Sequence, residues 1–255
     1  MSQLNTQQSL YFNKTATTYN KHMHVQYEVF TKLLSLLDTS TFETITDIGC
    51  GTGIITKKLH DHFNSKKTLG FDQSSNMIDH AKAAFETDTI TFQNKSAYDF
   101  SSNDHAELIF SNATLQWLPD LNKFFTILKN QIEKPTTIAF SIFLPETYNE
   151  LASGLKNSID PSIIIPAERF ESFNAIEAIC NQHFTDITFS THNITHSYKS
   201  VMELLTIIKQ TGSKELSPTI QFTKTKLSNL EKWFLSNHSA IIASYKVALG
   251  LIHIH

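Results

Sequence analysis

The chain has 255 residues, 40% of them hydrophobic, which is enough for one sizeable globular domain. Its formal net charge is −3 and it holds no basic run, so neither a general attraction to nucleic acid nor an RNA-binding arm is expected. No apolar run approaches the ~20 residues of a membrane span, and the first residues are polar with no signal-peptide core.

Residues Met1 to Asn20 are polar with interleaved Tyr11, Phe12 and Tyr19. Phe12, Ala16 and Tyr19 share helical spacing, which predicts a short amphipathic helix. It precedes the core, so residues 1–23 are expected to fold over the site as a lid. Val25 to Leu37 is an amphipathic helix, with Val25, Val29, Phe30, Leu33, Leu34, Leu36 and Leu37 as its apolar stripe.

The next stretch organises the rest. Ile45-Thr46-Asp47-Ile48 reads as a buried parallel strand. It breaks into Gly49, Gly51 and Gly53 at alternate positions and resumes as a helix through Leu59. Glycines at a strand-to-helix turn let a ligand approach the backbone, and the following helix start offers unpaired N–H groups. A dinucleotide fingerprint needs its third glycine three residues after the second, where this chain has Ile54. No Gly-Lys-Ser/Thr follows, so the loop is not a P-loop. A strand ending in Asp before G-x-G-x-G resembles the first motif of class I S-adenosylmethionine (SAM) methyltransferases. Thr68 to Asp72 reads as the next strand. Asp72 lies about twenty residues past the glycines, where an acid can accept both ribose hydroxyls of an adenosine. Ser74 is a candidate N-cap for the helix that follows.

Helix then continues to about Phe85, Ile90 to Gln93 is a third strand and Glu107 to Ser111 a fourth. Leu121 to Gln131 is helical and Thr136 to Phe143 a fifth strand. Strands alternating with helices, each strand a near-continuous apolar run, predict a parallel sheet covered on both faces. After Phe143 the rhythm changes. Glu146–Asn157 and Ser172–Gln182 read as helices, and Phe184–Ser197 as an alternating strand. Val201–Gln210 and Lys224–Ser236 read as helices, and Ala240–Ile254 as a final strand. The expectation is a single α/β domain, 1–255, with a mostly parallel seven-stranded Rossmann-like sheet. Segments 146–182 and 199–238 would form a helical cap.

Cys50 and Cys180 are the only cysteines, which argues for a reducing, cytoplasmic setting and against a disulfide scaffold. The twelve histidines are scattered. His22 with His24, and His253 with His255, lack partners at metal spacing, so no metal is expected. A monomer with no nucleic-acid or membrane partner is expected.

Four segments carry a closer resemblance. Phe12-Asn13-Lys14-Thr15-Ala16-Thr17-Thr18-Tyr19 resembles the F-x-x-x-A-x-x-Y entry of the malonyl-acyl-carrier-protein O-methyltransferases of biotin synthesis. Ser111-Asn112-Ala113-Thr114-Leu115-Gln116-Trp117 is similar to their S-N-x-x-x-Q-W. Leu205 to Gly212 is similar to their L-x-x-L-K-x-x-G, and Ser244 to Gly250 to their closing T-Y-x-x-x-x-G strand. The resemblance runs nearly end to end, although S-N-x-x-x-Q-W also occurs in trans-aconitate methyltransferases. Ser96 stands where the family usually carries an Asp for the adenine amino group. The arginine before the cap turn is missing, and Arg169, the only arginine in the chain, is displaced by a few residues.

The resemblance implies methyl transfer from SAM, leaving S-adenosylhomocysteine (SAH), to the free carboxylate of a malonyl thioester on acyl carrier protein or CoA. It implies cofactor contacts at Asp47, Gly49, Cys50, Gly51, Gly53, Asp72, Gln73, Met77, Ser96, Ala97, Tyr98 and Asn112. Tyr19 and Asn112 are the catalytic candidates, and Tyr19, Gln116, Arg169 and Lys209 the substrate-binding ones. A carboxyl pKa near ~4 leaves the nucleophile ionised, so no general base is needed. An acidic carrier with a malonyl-phosphopantetheine arm would be steered by a basic rim, for which Lys199, Lys209, Lys214, Lys224, Lys226 and Lys232 are candidates. Two alternatives stay open on the sequence: a methyltransferase for a small free acid such as trans-aconitate, and a non-catalytic SAM-binding scaffold protein.

Overall fold

A computed structural model of the chain describes residues 12–37, 41–211 and 221–255. Tyr11 and Lys214 of the sequence reading lie outside the described residues. Helix α1 covers residues 12–19, and α2 is His24–Leu34. The crossovers then run β1 (Thr44–Ile48), α3 (Ile54–Phe63), β2 (Lys67–Asp72), α4 (Ser75–Phe85), β3 (Ile90–Asn94), β4 (Leu108–Ser111), α5 (Leu121–Gln131) and β5 (Thr136–Phe143). The rest is α6 (Asn149–Ser158), α7 (Phe173–His183), β6 (Ile187–Tyr198), α8 (Val201–Gln210), α9 (Lys224–His238) and β7 (Ile241–Ile254).

The seven strands form one sheet in the order β3-β2-β1-β4-β5-β7-β6. The first five pair in parallel. β7 runs antiparallel between β5 and β6. Strand order reverses at β1 and β4, and the crevice beyond their carboxyl ends is where an open α/β sheet takes its ligand.

Both faces are covered. On one face Val29, Phe30 and Leu33 of α2 and Leu59 of α3 pack on Ile45 and Phe110. On the other, Phe124 and Phe125 of α5 pack on Ile48, Ile109 and Phe140. Each such fully buried side chain stabilises by about 1.5–3 kcal/mol. A smaller cluster joins Ile78 and Ala81 of α4 to Ile90 and Phe92.

The expected cap divides. Helices α6, α8 and α9 share the α2 cluster through Leu151, Leu155, Leu204, Ile208, Leu230 and Phe234. Helix α7 does not join them: Ile176 and Cys180 lie in the opposite cluster beside α5. Its apolar stripe is answered by the far face of the sheet, so 146–182 is not one cap unit. Among the described residues, no helix is long and apolar enough to cross a membrane.

Candidate active site

A pocket of ≈ 860 Å³, counted out to the solvent at its mouth, opens at the switch point. The glycine loop forms its floor. Gly49 and Cys50 donate to Phe71 O at 2.8 and 3.1 Å, holding the loop against β2. All three glycines have positive φ: +75°, +54° and +78° in order. They do different work. A Cβ on Gly49 would collide with Thr114, and one on Gly53 would lie 2.8 Å from Ala81 and Phe92. A Cβ on Gly51 would meet nothing within 4 Å. Gly49, Cys50 and Gly51 line the pocket; Gly53 does not. Gly53, expected as a cofactor contact, is a packing glycine that lets α3 approach α4.

Asp47 is also outside the pocket lining. It is buried, and its Oδ2 accepts from Thr56 Oγ1 at 2.6 Å, clamping β1 to α3. Burial pushes its pKa up to about 7. Asp72 does line the pocket. Its Oδ2 accepts from Gly51 N at 3.1 Å and its Oδ1 from Ser74 N at 2.8 Å. A carboxylate has about four acceptor sites, so two stay open for ribose hydroxyls. Burial raises the Asp72 pKa, and the two backbone donors oppose that. Gln73 and Met77 line the same wall, and Ser74 Oγ caps α4 by accepting from Met77 N at 3.3 Å.

At the end of β3 the expected residues part company. Ala97 lines the pocket; Ser96 and Tyr98 do not. Ser96 Oγ accepts from Tyr98 N at 3.3 Å, closing the turn. The Tyr98 hydroxyl donates to Asp120 O at 3.1 Å and accepts from Asp120 N at 2.9 Å. Both side chains are thereby committed to structure. Lys95 lines the pocket in their place; it pairs with buried Asp104 and sits 5.5 Å over the Phe71 ring.

Beyond β4, Asn112 lines the pocket, yet both ends of its amide are engaged. Nδ2 donates to Gln26 O at 3.0 Å, and Oδ1 accepts from Ser141 Oγ at 2.8 Å. Gln116 turns away, with Nε2 donating to Ala113 O at 2.6 Å. Trp117 lines the pocket and meets Phe12 and Phe170 edge-on, at 6.4 and 5.3 Å between centroids.

Helix α1 lies over the opening. Asn13 Oδ1 accepts from Ser74 Oγ at 2.6 Å and from Asn76 N at 3.1 Å. Asn20 Oδ1 accepts from Thr52 Oγ1 at 2.6 Å. Thr18 Oγ1 donates to Gln210 Oε1 on α8. Phe12 and Tyr19 line the pocket from this helix, their rings edge-on at 6.3 Å. Burial first, and then Asp72, push the Tyr19 hydroxyl well up, so it stays a neutral donor. Arg169 and Lys209 are exposed and outside the pocket lining. Arg169 adjoins Phe170, and Lys209 adjoins Gln210.

Sequence reasoning missed Met23, Gln26 and Lys95 as pocket residues. Gln26 had a readable signal. It falls one turn before Phe30 on the apolar stripe of α2, where a polar side chain needs a reason. The open side of Gly51, the ribose-ready Asp72 and the unpartnered buried Oε1 of Gln26 fit an adenosyl amino acid. Among the described residues, no group of three or more His, Cys, Asp or Glu could hold a metal.

The family described as "Methyltransferase domain" matches residues 45–133, which carry the glycine loop, Asp72 and the end of β4. The chain is 30% identical over 230 residues to "Malonyl-[acyl-carrier protein] O-methyltransferase 2" of Ilyobacter polytropus, covering 89% of this chain and 88% of that one. It is 27% identical over 246 residues to the protein so named in Acetivibrio thermocellus, covering 89% and 87%. Among solved structures it superposes on the YcgJ protein of Bacillus subtilis with a TM-score of 0.61 at 12% identity, covering 89% and 98%. It superposes on the plantazolicin methyltransferase BpumL, solved with a monoazolic desmethylPZN analog and SAH, with a TM-score of 0.56 at 16% identity, covering 99% and 96%. These structures share the fold. The relatives in sequence cover nearly nine-tenths of the chain, and at 30% identity the chain therefore belongs to the family of malonyl-[acyl-carrier protein] O-methyltransferases.

Proposed function

We propose that the protein transfers the methyl group of SAM to the free carboxylate of a malonyl group borne by acyl carrier protein. The ester masks a charge, so that fatty-acid synthesis can extend the chain toward pimelate for biotin. When bound, the cofactor supplies an electrophilic methyl group on a sulfonium. One observation carries the reading: among the described residues, no titratable side chain lining the pocket is set up as a general base. Asp72 is held by Gly51 and Ser74, and Lys95 is paired with Asp104. Burial pushes the Cys50 thiol and the Tyr19 hydroxyl up. A nucleophile that needs no proton removed fits such a pocket, and a carboxylate is already ionised near pH 7.

This chain's own part is alignment and exclusion of water. Gly49, Gly51 and Asp72 fix the cofactor end, and Phe12, Tyr19 and Trp117 close over the reacting end. Holding two reacting atoms in line is worth ~7–11 kcal/mol of barrier. Tyr19, kept as a phenol, donates to the substrate carboxylate and aims it. Asn112 acts as a positioning residue, tying β4 to α2. With neither Arg169 nor Lys209 in the pocket lining, their place in this reading is the outer rim that meets the carrier.

The deciding experiment is transfer of radiolabel from SAM to malonyl-acyl carrier protein, with malonyl-CoA, free malonate and trans-aconitate in parallel. Label on the malonyl thioesters is the expected result. Label on free acids alone overturns the substrate assignment, and absence of label with cofactor bound overturns the activity.

A further inference from the structure

We infer that Gln26 reads the α-ammonium group of the cofactor, so that the pocket separates SAM and SAH from nucleosides that lack an amino acid. The inference rests on the cofactor reading above and goes beyond it to a residue that the motifs leave out.

Gln26 is 7% exposed, and it lines the pocket beside Gly49 and Asn112. Its Oε1 is the one buried side-chain N or O without a hydrogen-bond partner among the described residues. Leaving a buried acceptor unpaired costs its full desolvation, so such atoms are rare and call for a reason. The residue is also held in place. Asn112 Nδ2 grips its backbone oxygen at 3.0 Å, and the Asn112 amide is itself fixed by Ser141.

Position identifies the missing donor. In the strand order β3-β2-β1-β4, Asp72 ends β2, while Gln26 is fastened to the end of β4. The glycine loop after β1 lies between them. With the ribose on Asp72, the β4 side is left for the amino-acid end of the ligand. The only N–H donor on that end is its ammonium group. A hydrogen bond from a cation is among the strong ones, and Oε1 is the free acceptor there.

The test titrates the full chain calorimetrically with three ligands. SAH carries ammonium and carboxylate, S-adenosyl-3-thiopropylamine keeps only the amine, and 5′-methylthioadenosine has neither. In Gln26→Met, the two amine ligands should bind about tenfold more weakly or worse, and methylthioadenosine within about twofold of wild type, the pattern for one lost charge-assisted hydrogen bond. Gln26→Glu keeps an acceptor and should hold or tighten the amine ligands alone. It serves as the second variant if Gln26→Met does not fold. Equal weakening of all three ligands would make Gln26 merely structural and overturn the inference. Weakening of SAH without the thiopropylamine would assign Gln26 to the carboxylate and overturn it too. If SAH fails to bind the unaltered chain, the cofactor reading itself falls, a result distinct from both.

Discussion

Thr52 donates to Asn20 Oδ1 across 2.6 Å, joining the glycine loop to the end of the helix that covers it. Thr52 is buried and Asn20 exposed, so the bond is made at the edge of the lid. Its loss costs ~0.5–1.5 kcal/mol. Asn20→Ala should therefore speed amide exchange across residues 12–19 by up to about tenfold and raise KM for SAM to a similar degree. Unchanged exchange would mean that the other ties, Asn13 to Ser74 and Thr18 to Gln210, hold the helix down.

Asp72→Ala removes the proposed ribose acceptor together with the anchors for Gly51 and Ser74. Cofactor affinity should fall by ~1.5–3 kcal/mol, the range for a hydrogen bond involving a charged group. Calorimetry with SAH checks this, and an unchanged dissociation constant would sink the ribose assignment.

Gly49 and Gly51 should fail differently. Either alanine pays ~1–2 kcal/mol for a left-handed backbone. Gly49→Ala must also displace Thr114, adding ~1–3 kcal/mol of overpacking. Gly51→Ala meets no protein atom and points its methyl into the ligand's space. Urea melts should show Gly49→Ala as the less stable protein. Gly51→Ala should stay folded and lose SAH binding. The reverse order would refute the division of labour between the two.

Tyr19→Phe removes the donor and keeps the ring that packs on Phe12. Turnover on malonyl-acyl carrier protein should drop about tenfold or more, with SAH affinity within about twofold of wild type. Equal turnover would leave Tyr19 as a wall of the lid only.

Asp47 predicts a pH effect on stability. Burial raises its folded pKa to about 7, above an unfolded value near ~4. The folded state then holds a proton that the unfolded state has released. This contribution is complete below pH ~4, declines as pH rises, and is gone once pH passes about 7. Asp47→Asn cannot titrate. The stability of wild type relative to this variant should fall between pH 4.5 and 7, as read by urea unfolding at each pH. A difference that does not change with pH would show that Asp47 is ionised throughout.

The parallel half was legible because its signals are local. Each strand is a short apolar run, the glycines mark the turn, and Asp72 follows at a fixed distance. Which of those residues face the ligand was less legible, because facing is decided by neighbours distant in sequence. Gly53 packs on Ala81 and Phe92. Ser96 and Tyr98 turn to local and α5 partners, and Lys95 takes the place beside the pocket. Gln26 was legible only as a polar break in the apolar stripe of α2. No local pattern told that the last strand would slip between β5 and β6, since antiparallel pairing of that kind is settled by the two long edges it joins.

That insertion bears on how the molecule assembles and opens. Among the described residues β6 has no strand neighbour except β7, so its pairing edge waits for a strand that follows two intervening helices. Helices α6 and α9 lie against β7 as well. Strand, edge and cap therefore form one block, joined to the crossovers around the glycine loop through the α2 face of the core. Native-state exchange should find this block loosening together while the β1–β4 half stays protected. A protein built so can yield at its β6–β7 edge and still keep its glycine-loop cradle folded.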